Sequence, residues 1–191
     1  MRFPGCTTLQ SYCVHARKHG GSRKRVWRKV HLAMGEATLE VRAVEITGSG
    51  VGDAPVLPDL LAQIPEGGAI ASITAYGAYD TRGCRDTIAN RGADAVIPPR
   101  RNAKPSKTDS PGAADRHEAL RANKHLGRTT WRLWTGYYFR SRAETKVNGM
   151  KLLGRKPMAR NFDRRTAELQ IRIAISNRFA ALGIPVTEPV I

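Results

Sequence analysis

Acidic side chains are scarce in this 191-residue chain: 16 Asp and Glu stand against 32 Lys and Arg, a formal net charge of +16. An excess of that size favours a polyanionic partner, because every phosphate neutralised releases counterions. Nucleic acid is the first expectation and an anionic membrane surface the second. No apolar run approaches the length of a spanning helix, which sets the membrane aside. Cysteine is nearly absent: Cys6, Cys13 and Cys84 form an odd, scattered set with neither metal-ligand spacing nor a disulfide framework. The N-terminus shows no secretory apolar core, so a reducing cytoplasm is expected. The last deficit is local, for no aspartate precedes Asp53.

What is present suffices for one folded unit. A hydrophobic content of 41% in 191 residues supports a real core. Residues 1–22 show no sustained period of 2 or 3.6, and Gly20-Gly21-Ser22 interrupts what little there is, so this segment reads as aberrant or disordered. RKRVWRKVHLAM alternates with Val26, Val30, Leu32 and Met34 available to a core. GEAT then turns and LEVRAVEI alternates again, which predicts a β-hairpin over 23–47. In its second strand Leu39, Val41, Ala43 and Glu45 share one face while Arg42, Val44 and Ile46 share the other, which leaves the facing open. Trp27 and His31 read as structural. Asp53 is placed to cap a helix carrying Val56, Leu57, Leu60, Leu61 and Ile64.

AIASITAYGAY is short, apolar and partly β-branched, as a buried central strand is. Thr81 can cap a helix closed by Gly92, and DAVIPP gives one more short strand, stopped by its prolines. The alternation of strands and helices predicts an α/β sheet with helices packed on it. Residues 100–112 read as a proline- and cation-rich mobile loop. Three helical segments follow, the last near 164–182 with Leu169, Ile173, Ile175, Phe179 and Leu182 as its apolar face.

The most informative stretch is YYFRSRAETKVNGMK, residues 137–151. On a helix, Tyr137, Arg140, Glu144 and Lys151 fall within about 60° of one another. Phe139, Ala143, Val147, Met150 and Leu153 gather on a different face as an apolar stripe. Taken alone, the polar edge reads first as a solvated face with an Arg140–Glu144 pair, worth a few tenths of a kcal/mol.

That spacing, Y-x-x-R-x-x-x-E-x-x-x-x-x-x-K, resembles the segment around the last catalytic carboxylate of DDE transposases of bacterial insertion sequences. HLA after WRK, VGDAPVLPDLL, GAYDTRGC and VIPPRRNAK resemble the same family, and the likeness runs from about Arg17 to the C-terminus. It implies a ribonuclease-H-like fold (a mixed sheet flanked by helices), incomplete over 23–191 because the first strand should lie in the aberrant segment 1–22. It implies metal-dependent phosphodiester cleavage and strand transfer on DNA, with Mg²⁺ or Mn²⁺ held by carboxylates from separate elements. Glu144 takes the place of the catalytic, metal-binding glutamate, and Tyr137, Arg140 and Lys151 those of DNA-binding companions.

Two departures stand out. The first-strand aspartate has no counterpart, and Tyr76 occupies the position of the second. A neutral phenol cannot serve a hard metal ion as a carboxylate does. Gly35 stands where relatives often carry an acid. Asp80 and Asp86 are the nearby carboxylates to weigh as substitutes; Asp80 already has a place as a helix N-terminal or turn residue. The expectation is therefore a transposase-derived, catalytically inactive chain with DNA as partner. It is expected in a bacterial cytoplasm near the nucleoid, as a homo-oligomer or with an intact transposase. Without its first strand it should fold marginally and aggregate. The alternatives are a non-catalytic basic nucleic-acid-binding module and a small RNA-binding protein, the latter disfavoured by the spacing of the four motif residues.

Overall fold

In the computed structural model the described residues are 5–16, 26–105, 109–154, 157–159 and 161–183. Five strands, β1 (Cys6–Ala16), β2 (Val26–Gly35), β3 (Val41–Gly48), β4 (Ser72–Thr74) and β5 (Asp94–Val96), make one sheet in the order β3-β2-β1-β4-β5. β1, β2 and β3 pair antiparallel, while β1–β4 and β4–β5 are parallel. The helices are α1 (Leu57–Ala62), α2 (Arg82–Asn90), α3 (Ala113–Trp134), α4 (Ser141–Leu152) and α5 (Phe162–Leu182). This mixed sheet between helical layers is the ribonuclease-H-like α/β arrangement that the sequence led us to expect.

One expectation is overturned. The first strand is neither missing nor aberrant: Cys6–Ala16 forms β1, the middle strand, with ten paired positions along β2 and three along β4. The sequence hid it because a strand covered on both faces has no need to alternate. Thr7, Thr8 and Leu9 are all buried, two hydroxyls among them. Of the segment 1–22, residues 6–16 are thus part of the sheet; residues 1–4 and 17–22 lie outside the described residues.

Two cores sandwich the sheet. On one face Leu9, Ala33 and Ile73 meet Leu57, Leu60 and Ile64 of the α1 region and Ile88 of α2. On the other, Val14, Val30, Leu32 and Met34 meet Ala143, Val147 and Met150 of α4 with Leu169 and Ile173 of α5. The open question about β3 is settled by a bulge: Ala33 pairs with Ala43 but Met34 with Val41, so Arg42 is extra and the alternation changes phase. Val41 thereby joins the second core with Val44 and Ile46 at its margin, and Ala43 joins the first.

Local chemistry explains two of the helix starts. The Thr81 hydroxyl accepts the Cys84 N–H at 3.2 Å and starts α2, and the Asn161 side chain accepts the Asp163 N–H at 2.9 Å and starts α5. Asp53 stands before a 3₁₀ turn over Ala54–Val56, yet its side chain makes no cap bond. Residues 137–151 are not one helix: Gly136 turns at φ 70°, Tyr137–Arg140 is a 3₁₀ turn, and α4 begins at Ser141. The tighter turn rotates Phe139 off the apolar stripe, so it and Leu153 are partly exposed while Ala143, Val147 and Met150 are buried. On α5 only Leu169 and Ile173 of the expected face are buried; Ile175, Phe179 and Leu182 are exposed. Of the loop at 100–112, residues 106–108 lie outside the described residues. Among the described residues no helix is long and apolar enough to cross a membrane.

Candidate active site

The start of α4 brings two of the four motif residues together. Arg140 Nη1 donates to Glu144 Oε1 at 2.6 Å, and the glutamate remains half exposed. The Arg140 guanidinium lies 5.6 Å from the Tyr76 ring centroid, so the Glu144 end of α4 sits beside the position just past β4. The other two go elsewhere. Tyr137 packs on Trp131 at 5.9 Å between ring centroids, with the Arg132 guanidinium 5.5 Å from its ring. Lys151 reaches over the Tyr12 ring at 5.7 Å. Burial, opposed by Arg172, pushes the Tyr12 phenol up to about 12.

Around Tyr76 is a chain of polar side chains from β1, β2 and the loop after β3. The Tyr76 hydroxyl donates to Asp53 Oδ2. Having one proton, it accepts in turn from the Ser11 hydroxyl, 2.8 Å away. Lys29 Nζ lies 2.7 Å from Asp53 Oδ1, and His31 Nδ1 3.3 Å from the same oxygen. On its far side His31 Nε2 meets Thr47 Oγ1 at 2.9 Å. Burial alone would raise the Asp53 carboxyl. Hydrogen bonds from Lys29, Tyr76 and Ser11, with the Lys29 charge, hold it instead below the ordinary carboxylate value. Burial and the bond to Asp53 push the Tyr76 phenol well above its usual range. Burial keeps the His31 imidazole below its ordinary value against the pull of Asp53.

Asp53, Ser11 and Lys29 were not singled out as site residues by sequence reasoning. A faint signal existed: Lys29 and His31 share the polar parity of a strand whose other parity is Val30 and Leu32. Nothing in the sequence said that residues 11, 53 and 76 would meet.

Both carboxylates considered as substitutes are committed to structure. Asp80 is buried; its Oδ1 accepts from Arg85 Nε at 3.1 Å and Arg116 Nε at 3.3 Å, and its Oδ2 from the Arg100 N–H at 3.0 Å. Asp86 Oδ1 accepts from the Ser110 hydroxyl at 2.7 Å and the Gly112 N–H at 2.9 Å.

A divalent ion needs several hard oxygen ligands converging on one point. Here β1 contributes a serine, the position after β4 a protonated phenol, Asp53 is held by an ammonium and a hydroxyl, and Glu144 is paired with Arg140. Among the described residues no group of three or more His, Cys, Asp or Glu could hold a metal ion. The residues present do not fit the metal centre that the resemblance implies.

Part of the cationic excess is consumed by the fold. Arg100 donates to the carbonyls of Gly77 and Ala78, Arg165 to that of Ala159, and Arg28 stacks 4.5 Å over the Phe162 ring. Residues 23–25, 107, 155, 156 and 160 lie outside the described residues.

No solved structure matches the chain. The family described as Transposase DDE domain matches residues 3–178, which include β1 as well as the Tyr137–Lys151 segment. Members of that family generally use divalent metal ions and act on DNA. With sheet order, helix placement and the Glu144 segment all in agreement, this chain belongs to the transposase DDE domain family.

Proposed function

We propose that this chain is a transposase catalytic domain that has kept its DNA-binding surface and lost its cutting chemistry. The observation that carries the reading is the Ser11–Tyr76–Asp53–Lys29 chain. Where a transposase needs anionic oxygens gathered on a metal ion, here a lysine ammonium neutralises the one nearby aspartate and a phenol caps it. Tyr76 stays protonated at neutral pH, since both burial and its acceptor oppose ionisation. It therefore offers no anionic ligand, for Mg²⁺ or for Mn²⁺. Glu144, with Arg140 beside it, is left as half of a surface ion pair.

The cationic excess retains its use. Arg140, just before α4, and Lys151, in its last turn, would meet backbone phosphates without reading bases. Association with a second copy or an intact transposase, within a bacterial nucleoid, belongs to the same proposal. The exposed outer side of α5, with Ile171, Phe179 and Leu182, is the surface such association would cover.

The test is paired. Purified chain is mixed with duplex DNA in Mg²⁺, in Mn²⁺ and in EDTA, and both binding and strand cleavage are measured. Binding that is indifferent to EDTA, with no cleavage under any condition, is the expected outcome. Metal-dependent cleavage abolished by Glu144→Gln would overturn the proposal. A double variant, Ser11→Asp with Tyr76→Asp, puts carboxylates where two hydroxyls now touch, and is expected to acquire Mn²⁺ binding that the parent lacks.

A further inference from the structure

One end of the sheet lacks the helical cover that the rest has. Ile73 of β4 faces the first core, so its neighbours Ser72 and Thr74 face the other way, with Ser72 in register with Cys6 of β1 and Asp94 of β5. The second core, which fills that face over β1, β2 and β3, includes no residue of β4 or β5 among the described residues. Over this end stands α3, and α3 is broken. Gly127 has φ 79° and ψ 159°, outside any helical conformation, so residues 113–126 and 128–134 form two legs. Between the legs and the sheet is a groove of about 700 Å³. The first leg brings Asp115 and Glu118 to it, the second Trp131, Leu133 and Trp134, and the following 3₁₀ turn Phe139.

This groove departs from the rest of the surface in charge and in polarity. Four carboxylates line it, Glu36, Asp94, Asp115 and Glu118, with no Lys, Arg or His, in a chain whose bases outnumber its acids 32 to 16. Asp115 is partly engaged, its Oδ2 accepting the Ala95 N–H at 3.4 Å. Asp94 and Glu118 are exposed, and neither is in an ion pair among the described residues. Leu133 and Trp134 are 65% and 64% exposed, with Phe139 also in the open. Apolar side chains gathered and exposed in a concave place mark a contact surface for another protein. Its carboxylates repel the DNA that the remaining surface attracts. The occupant has to be apolar and cationic, and the chain itself carries such a surface. On α5, Ile171, Ile175, Arg178 and Leu182 recur at i, i+4, i+7 and i+11, within about 60° of one another, and all four are exposed. Arg164, seven residues before Ile171, prolongs that outer face. Neither Arg164 nor Arg178 is in an ion pair among the described residues.

We infer that the groove between the legs of α3 receives the outer face of α5 from a second copy of this chain. The aliphatic side chains of α5 go against Leu133 and Trp134, and its two free arginines go toward Glu118 and Asp94, a helix-in-groove contact. Within one chain the pairing is closed off, because Leu169 and Ile173 hold the inner side of α5 on the sheet and turn its outer side away. Two different surfaces meet, so every copy offers one of each, and association runs head to tail instead of closing as a symmetric pair. This pairing rests on the proposed association with a second copy and supplies the surface that receives α5.

Sedimentation velocity of the full chain over a range of concentrations, without DNA, is the test. The parent should form species that grow past the dimer as concentration rises. Glu118→Lys spoils the groove and Arg178→Glu spoils α5. Each places like charges opposite one another and should weaken self-association about tenfold or more. Asp94→Lys, on the edge strand, serves in place of Glu118→Lys should that variant fail to melt as the parent does. Mixed in equal amounts, the groove and α5 variants still own one good surface each, so they should form a 1:1 dimer that grows no further. If the groove variants associate as the parent does while Arg178→Glu does not, α5 meets something other than the groove, and the pairing falls while association itself stands. A mixture that stays monomeric also overturns it. A parent that is monomeric at every concentration overturns the pairing and the proposed association together, and leaves the groove to a different cationic protein.

Discussion

Asp53 carries the most electrostatic consequence of any single residue here. Lys29→Met removes the ammonium and leaves a nearly buried carboxylate without its countercharge, so a loss of about 3 kcal/mol in denaturant unfolding is expected. The pH dependence has a definite sign. Asp53 has a folded pKa below its ordinary value of 3.8, so its contribution is whole above that value and disappears as pH falls through the folded one. His31 also has a folded pKa below its ordinary value, 6.5, so its stabilisation too is whole above that value and is lost on acidification. Stability should decline in two stages as pH drops, first below 6.5 and again below 3.8. Asp53→Asn should flatten the lower stage of the midpoint-against-pH curve and deepen the upper one, because it removes the carboxylate that draws His31 upward. Asp80 supports the fold in another way: Asp80→Asn strips the shared carboxylate from Arg85 and Arg116, and a loss of about 3–5 kcal/mol is expected.

Among the elements, β1 and α5 define the mechanical character of the chain. Because β1 is present at the sheet centre, the marginal folding expected from its loss has no basis. Leu9 is wholly buried against α1 and α2, and Leu9→Ala should cost about 2–5 kcal/mol in a cooperative unfolding transition. The hazard lies instead on the outer side of α5, where Ile171, Phe179 and Leu182 are each at least 60% exposed. Contiguous exposed apolar side chains promote association. A double variant Ile171→Lys with Phe179→Lys should reduce concentration-dependent light scattering while shifting stability by no more than about 1 kcal/mol. A collapsed midpoint would mean that these side chains pack in solution after all.

For the whole molecule, charge is the property that reaches furthest. A net charge of +16 predicts DNA affinity that falls steeply with salt, log K dropping by roughly 0.9 per decade of salt for each phosphate contacted. Titrations at several salt concentrations measure that slope directly. A shallow slope with strong sequence preference would point to base readout, which the basic surface does not require.

The chain announced its kinship, its charge and its hairpin by itself, because spacing, composition and period-2 alternation are local properties. The cap at Thr81 and the Arg140–Glu144 pair were legible for the same reason: three or four residues separate the partners. Position 76 could be seen to hold a phenol, but not what that phenol touches. Its partners Ser11 and Asp53 lie 65 and 23 residues away, and only the β2-β1-β4 order of the sheet brings them within reach. Tertiary structure also decided that β1 is a strand, since burial on both faces erased its alternation. It decided as well that Asp80 and Asp86 belong to arginines and to a helix start rather than to a metal, because the fold supplies those donors from α2, α3 and the loop between β5 and α3.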